Sequence, residues 1–264
     1  MEKEPAIQGF TLMEIAIVLV IVGLLVGGVL TGKNLIRAAE LRAVSAEAQA
    51  YIVAVINFNA KYRALPGDMP NATAVWGAAH ATPAVCNTID SRTLDNIWRT
   101  CNGDGDFKIE MRLAGAPVDE VFRFWQQLSN EGLIKGVFSG KDGPNGALIL
   151  GDMVSGTNVP AGRLAGSLFT PWYAGGQSGA LWYFAGYYGN ILLYERLNEP
   201  TIMTPLEARS IDDKIDDGRP GRGKIRTYNQ TLQPNCATTN VAATAEYNSA
   251  YEDMACGLIA ANAF

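Results

Sequence analysis

Residues 15–30 carry no charged or polar side chain, and across the wider stretch 10–31 the single charge is Glu14. A bilayer core takes roughly 20 apolar residues at 1.5 Å rise each, so this run is a membrane-span candidate. No second stretch has that character, which places the rest of the chain on one side of a single anchor. Beyond residue 31 the pattern changes from uniformly apolar to periodic. Leu35, Leu41, Val44, Ala48, Tyr51, Ile52, Val55 and Ile56 return near a 3.6-residue period, and no proline interrupts residues 10–65. The pattern predicts one continuous helix over 10–61, roughly 75 Å long. Its first half faces lipid, and its second half lays an apolar stripe on a head spanning 62–264. Leu65-Pro66-Gly67-Asp68-Met69-Pro70 ends it.

Within the head, Pro117-Val118-Asp119-Glu120 opens a short helix with acid in its first turn, favoured there by the helix dipole. Val118, Val121, Phe122, Trp125 and Leu128 form its apolar stripe, and Gly132 sits near its end. Strand-like runs follow at 147–150, 180–185, 190–196 and 224–228. Thr204-Pro205-Leu206-Glu207 reads as a capping box with proline at the first helical position, and Gly218 is placed to close that helix. A long helix followed by short helices and antiparallel strands is an α+β arrangement.

Composition narrows the chemistry. Of 264 residues, 48% are hydrophobic, so the chain is not a disordered one. With 21 basic against 26 acidic residues there is no basic stripe of the kind a nucleic-acid binder shows. His80 is the sole histidine, which excludes multi-histidine zinc sites and leaves a serine triad without an oriented acid nearby in sequence. Neither a Gly-x-Ser-x-Gly elbow nor a P-loop is present. A pair of glycosidase carboxylates is not excluded by composition. The aromatic pairs Trp172-Tyr173, Trp182-Tyr183-Phe184 and Tyr187-Tyr188 suit either a sugar-binding surface or, more commonly, a packed core and rim. The expectation is a protein that is not an enzyme.

Two signals disagree about orientation. Lys33, Arg37 and Arg42 follow the apolar run and only Lys3 precedes it, which by the positive-inside rule puts the head in the cytoplasm. The four cysteines, with no CxxC, argue for an oxidising compartment. They permit three pairings, and the loop-closing separations favour Cys86 with Cys101 and Cys236 with Cys256. The cysteines are the stronger signal. A cleaved secretory signal is disfavoured, because Val29-Leu30-Thr31-Gly32-Lys33 holds no A-x-A site.

Glu14 is the costly residue, since insertion scales put an acid at a membrane-helix centre near +3 kcal/mol and less toward the ends. It either snorkels to the interface or finds a positive partner. A cut after Gly9 would give Phe10 a new α-amino group four residues from Glu14, within the same chain or on a neighbour.

These residues carry a resemblance. Gly9-Phe10-Thr11-Leu12-Met13-Glu14, followed by the apolar run from Ile15, is similar to the cleavage and methylation signature of type IV prepilins and type II secretion pseudopilins. The resemblance covers about the first 25 residues. It implies a leader at 1–9, cleavage by a membrane prepilin peptidase between Gly9 and Phe10, and N-methylation of Phe10. It also implies a homo-oligomeric helical filament in which Glu14 meets the Phe10 amine of another subunit, with an inner-membrane platform and an ATPase motor as partners. The implied location is the bacterial inner membrane for the precursor, then a cell-surface or periplasm-spanning fibre. The expected function is a pilus-like filament subunit, with a secretion pseudopilin or a minor or tip subunit as the alternative. From another class, a membrane-anchored periplasmic hydrolase or lectin stays open. The chain departs from the family in its leader, where Lys3 is the one basic residue, and in having Thr31-Gly32, after Gly27-Gly28, where many members have proline. Those glycines permit either local unwinding or close helix approach, or are ordinary membrane-helix glycines.

Two acidic clusters are candidate sites for a structural Ca2+, and no cofactor is required by the filament reading. Asn102, Asp104 and Asp106 alternate like calcium-loop oxygens, with Ile109 at the apolar eighth position. However, Phe107 stands where the turn glycine belongs and Leu113 where a bidentate glutamate belongs. Glu110 or Glu120 would then complete the shell. The second cluster, Asp212, Asp213, Asp216 and Asp217, ends a helix, where acids oppose the dipole. Lys214, Arg219, Arg222 or a cation must compensate, and Asp213, Asp216 and Asp217 are the candidate ligands.

Overall fold

The computed structural model describes residues 10–80, 98–110, 120–141, 153–175, 189–196 and 201–264. Helix α1 runs over Leu12–Tyr62. Thr11 caps it: the Glu14 N–H donates to Thr11 Oγ1, and the Glu14 side chain accepts from the Thr11 N–H at 2.8 Å, a reciprocal capping box. It stops at Arg63, which turns into the left-handed region at φ 57°. The uninterrupted helix and its stop therefore lie where the periodicity puts them.

Burial divides α1 in two. Residues 10–31 are exposed on every side. In the second half Leu41, Val44, Val55 and Phe58 are buried, and Ala48 and Tyr51 pack beside them. Alternating steps of three and four along this set keep one face on the head. Tyr51 meets Trp125 and Phe169 edge-on, with ring centroids 4.9 and 5.1 Å away. Arg37 is the first strong grip: its guanidinium donates to both Glu207 oxygens at 2.6 and 2.9 Å and to the Ile202 carbonyl at 3.3 Å.

Helix α2, Ala72–Trp76, follows the stop, and α3 covers Glu120–Asn130 with residues 120–128 all buried. Four antiparallel strands, β1 (Ser167–Ala174), β2 (Gly189–Arg196), β3 (Ile225–Arg226) and β4 (Leu258–Ala261), form a sheet of order β1-β2-β4-β3. Helix α4, Pro205–Ile215, begins with the Thr204/Glu207 capping box, and Gly218 follows it at φ +69°. The fold is α+β.

One sheet face, with Phe169, Leu192, Tyr194, Leu258 and Ala260, joins the core shared with α1 and α3. The other, with Ile191, Leu193, Ile259 and Ala261, carries a smaller cluster under Tyr228. The run 190–196 emerges as β2, whereas the run 224–228 shortens to the two residues of β3. The runs at 147–150 and 180–185 lie outside the described residues. Strands β1 and β4 had no sequence signal. Pro171 in β1 is tolerated because, among the described residues, β1 is an edge strand of this sheet. Strand β4 is Leu-Ile-Ala-Ala, buried on both faces, so it shows no alternation. Cys236 and Cys256 are bonded, with Cα atoms 5.1 Å apart. Cys101 is also disulfide-bonded, and its expected partner Cys86 lies outside the described residues.

Candidate functional site

Three places hold the residues that sequence reading singled out. The first is the start of α1. Gly9 lies outside the described residues. Phe10 is 85% exposed, and no residue of the most apolar 18-residue window of α1 is buried. Glu14 does not stand alone, since both Thr11 donors, the N–H and the hydroxyl, reach its Oε2 at 2.8 Å. Farther along, the Thr31 hydroxyl folds back onto the Gly27 carbonyl at 3.0 Å, which satisfies the one other polar side chain of this stretch beyond the cap. Among the described residues, a Cβ added at Gly23, Gly27, Gly28 or Gly32 would meet nothing within 4 Å. The helix is long and apolar enough to cross a membrane.

The second place is the loop at 101–110. Of the calcium-loop set, only Asp104 reaches a carboxylate cluster, and its companions are Asp68 and Glu120, with an oxygen of each within 4.8 Å of the others. Asn102 is occupied elsewhere, accepting the Thr73 N–H of α2 at 2.8 Å. Asp106 turns outward to the Lys108 N–H and ammonium. Glu110 contributes its backbone carbonyl to the Glu120 N–H at 3.1 Å. The reason is the loop's curl. Gly105 at φ +81° and Phe107 at φ +64° aim the N–H groups of Gly105, Asp106 and Phe107 at Asp68, at 2.6, 3.2 and 2.9 Å. Asp68 thus fills a backbone nest of the kind that receives an anion.

Glu120 accepts the Asp104 N–H at 3.4 Å and the Glu110 N–H at 3.0 Å. A Cβ on Gly103 would overlap the Asp68 backbone, so glycine is needed there. Burial, with neighbouring carboxylates adding to it, pushes Asp68 up to about 6 and Glu120 up to about 8. Beneath them Arg123 is buried and donates to the Asn102 carbonyl at 3.0 Å. Sequence spacing points to Glu120 as a complement to the loop, whereas it marks Asp68 only as part of the helix stop. Its signal was there: an acid in a Pro-Gly turn with no basic neighbour in sequence.

The third place is the end of α4. Here Asp212, Asp216 and Asp217 bring an oxygen each within 4.8 Å of the others. Asp213 is displaced from the expected set, because it lies on the outer face of α4 and pairs with Arg209 at 3.5 Å. Asp212 points inward and is fully buried. The Tyr247 hydroxyl donates to its Oδ2 at 3.0 Å, while its Oδ1 has no hydrogen-bond partner. Burial pushes Asp212 up to about 7, against the pull of the Tyr247 hydroxyl. Asp216 caps the helix and accepts the Lys224 N–H. Asp217 accepts the Arg219 N–H at 3.0 Å and the Arg222 guanidinium at 3.1 Å.

The remaining candidates are packed or lie elsewhere. Trp172 packs on the smaller sheet face with Leu232, and Lys108 stands over the Tyr173 ring at 5.6 Å. The other aromatic pairs lie outside the described residues. His80 is half-buried. No family model, no curated protein and no solved structure matches the chain.

Proposed function

We propose that this protein is a subunit of a type IV pilus-like filament, processed at Gly9–Phe10 and assembled through the first half of α1. The observation that carries the reading is that half-helix: apolar all round, unburied by its own chain, and bearing one acid in the first turn. An apolar helix surface of this length requires either lipid or other apolar helices. A filament supplies both in turn, lipid before assembly and neighbouring copies after it.

Glu14 gives the change of surroundings a direction. In the single chain its carboxylate is satisfied by Thr11. In a filament core the new Phe10 amine of a neighbour offers a full opposite charge in a low-dielectric setting, a stronger partner than two neutral donors. The Cys236–Cys256 staple near the end of the head favours a pilus subunit over a secretion pseudopilin. A monomeric anchored hydrolase or lectin would also use an apolar helix, but there the acid would serve only as the helix cap with Thr11.

The test is intact-mass and N-terminal peptide analysis of sheared cell-surface material, with the Glu14→Ala variant alongside. The expected result is a chain starting at methylated Phe10 in the sheared fraction, absent for Glu14→Ala although the variant accumulates in membranes. An uncut chain confined to membranes, unaffected by Glu14→Ala, would overturn the proposal.

A further inference from the structure

The two acidic clusters look alike in sequence and differ in how their oxygens are satisfied. In the Asp68/Asp104/Glu120 cluster, both oxygens of each buried acid already accept backbone N–H groups. In the Asp212/Asp216/Asp217 cluster, the fully buried Asp212 keeps Oδ1 without a partner. Buried polar atoms are satisfied in the great majority of native structures, and an orphaned carboxylate oxygen is among the costliest exceptions. We infer that Asp212, Asp216 and Asp217 form a Ca2+ site joining the end of α4 to the loop that leads into β3.

Charge and geometry agree. Three carboxylates converge where the α4 dipole is itself negative. Against these three acids the Arg222 guanidinium sets one positive charge, on Asp217 at 3.1 Å. A divalent ion neutralises the excess. Calcium takes oxygen ligands at about 2.3–2.6 Å, so oxygens on opposite sides of one ion stand up to about 5 Å apart. The three carboxylate oxygens fall inside that span. Calcium also accepts irregular shells, which suits ligands drawn from a helix interior, a helix cap and a loop. Gly223, at φ +85°, keeps the space beside the ligands clear: a Cβ there would strike Asp216 and approach Asp217 Oδ1 to 3.3 Å.

The experiment uses the full chain in detergent micelles, stripped with chelator and titrated with CaCl2 by calorimetry. Thermal unfolding is followed in parallel. Tb3+ luminescence excited through tyrosine gives a local readout, because the Tyr247 hydroxyl sits on Asp212. The expected result is one Ca2+ per chain, a higher unfolding midpoint with calcium, and Tyr-sensitised Tb3+ emission that calcium displaces. Asp216→Asn and Asp217→Asn, at positions that are not buried, should each weaken binding at least tenfold while keeping the calcium-free midpoint of the parent chain. Asp213→Asn, next to the site, and Asp104→Asn, in the other cluster, should bind like the parent. Absence of saturable binding up to about 10 mM, beyond the weak end of calcium modules, would overturn the inference. So would binding that Asp104→Asn or Asp213→Asn abolishes while Asp216→Asn and Asp217→Asn leave it intact.

Discussion

The two halves of α1 are one continuous helix written in two different patterns. Residues 10–31 are exposed on every side and, among the described residues, pack against no other part of the chain, whereas Leu41, Val44, Ala48, Tyr51, Val55 and Phe58 present a single stripe to the head. A stripe means that the partner is on one side and water on the other. A surface apolar all round means that the whole surroundings must be apolar, and this chain does not provide them. Arg37 marks the change, because it is where charged side chains of helix and head first bind one another. The contrast separates what a residue does for folding from what it does for assembly.

Paired truncations give the largest expected effect. Phe58→Ala, at a position with no exposure, should cost about 3–5 kcal/mol of stability, whereas Leu19→Ala in the free half should cost under about 0.5 kcal/mol. Denaturant unfolding of the full chain in micelles reads both, and equal losses would break the comparison. Arg37→Ala removes the fork on Glu207 and should cost about 1–3 kcal/mol, with limited proteolysis showing a loosened junction between α1 and the head.

A smaller effect should come from pH. Glu195, buried with the Tyr228 hydroxyl as its partner at 2.7 Å, is pushed up by burial to about 7, while Glu120 is pushed up to about 8. Groups raised on folding stabilise most below their unfolded values, near 4, and lose that contribution as pH rises through their folded ones. Head stability should therefore fall from about pH 5 to pH 8. Below that range the trend reverses as Glu207 takes up a proton: burial raises it, but the Arg37 guanidinium and the Thr204 N–H together hold it below its ordinary value. Thermal scans across pH check this. A flat profile would show that these acids do not ionise with unfolding.

Much of this architecture was readable from local signals. The length of α1 follows from an uninterrupted apolar and then amphipathic pattern, with Pro66-Gly67 marking the region of its stop, although the turn itself is made at Arg63. Helix α4 follows from Thr204, Pro205 and Glu207, which satisfy a helix start within four residues. Strands β1 and β4 were not readable, because an edge strand may hold Pro171 and a doubly buried strand of Leu258–Ala261 need not alternate. The acidic sites were half readable. The spacing of Asp104 and Asp106 resembles a ligand loop, but positive-φ turns at Gly105 and Phe107 send the backbone N–H groups to Asp68, 37 to 39 residues away. Counting acids at the end of α4 located that cluster. Helical phase then decided that Asp212, and not Asp213, faces inward.

What residue order alone determined is whatever closes within a turn or two of backbone: the extent of α1, its two-part solvent preference, its caps, and the cleavage-like signature around Gly9 and Phe10. Such features depend on neighbours a few residues apart. Tertiary structure decided which carboxylates meet, which are satisfied and where Arg37 binds, since those contacts join segments up to 170 residues apart. A buried carboxylate takes its character from the donors that packing brings to it, and packing is set by the whole chain.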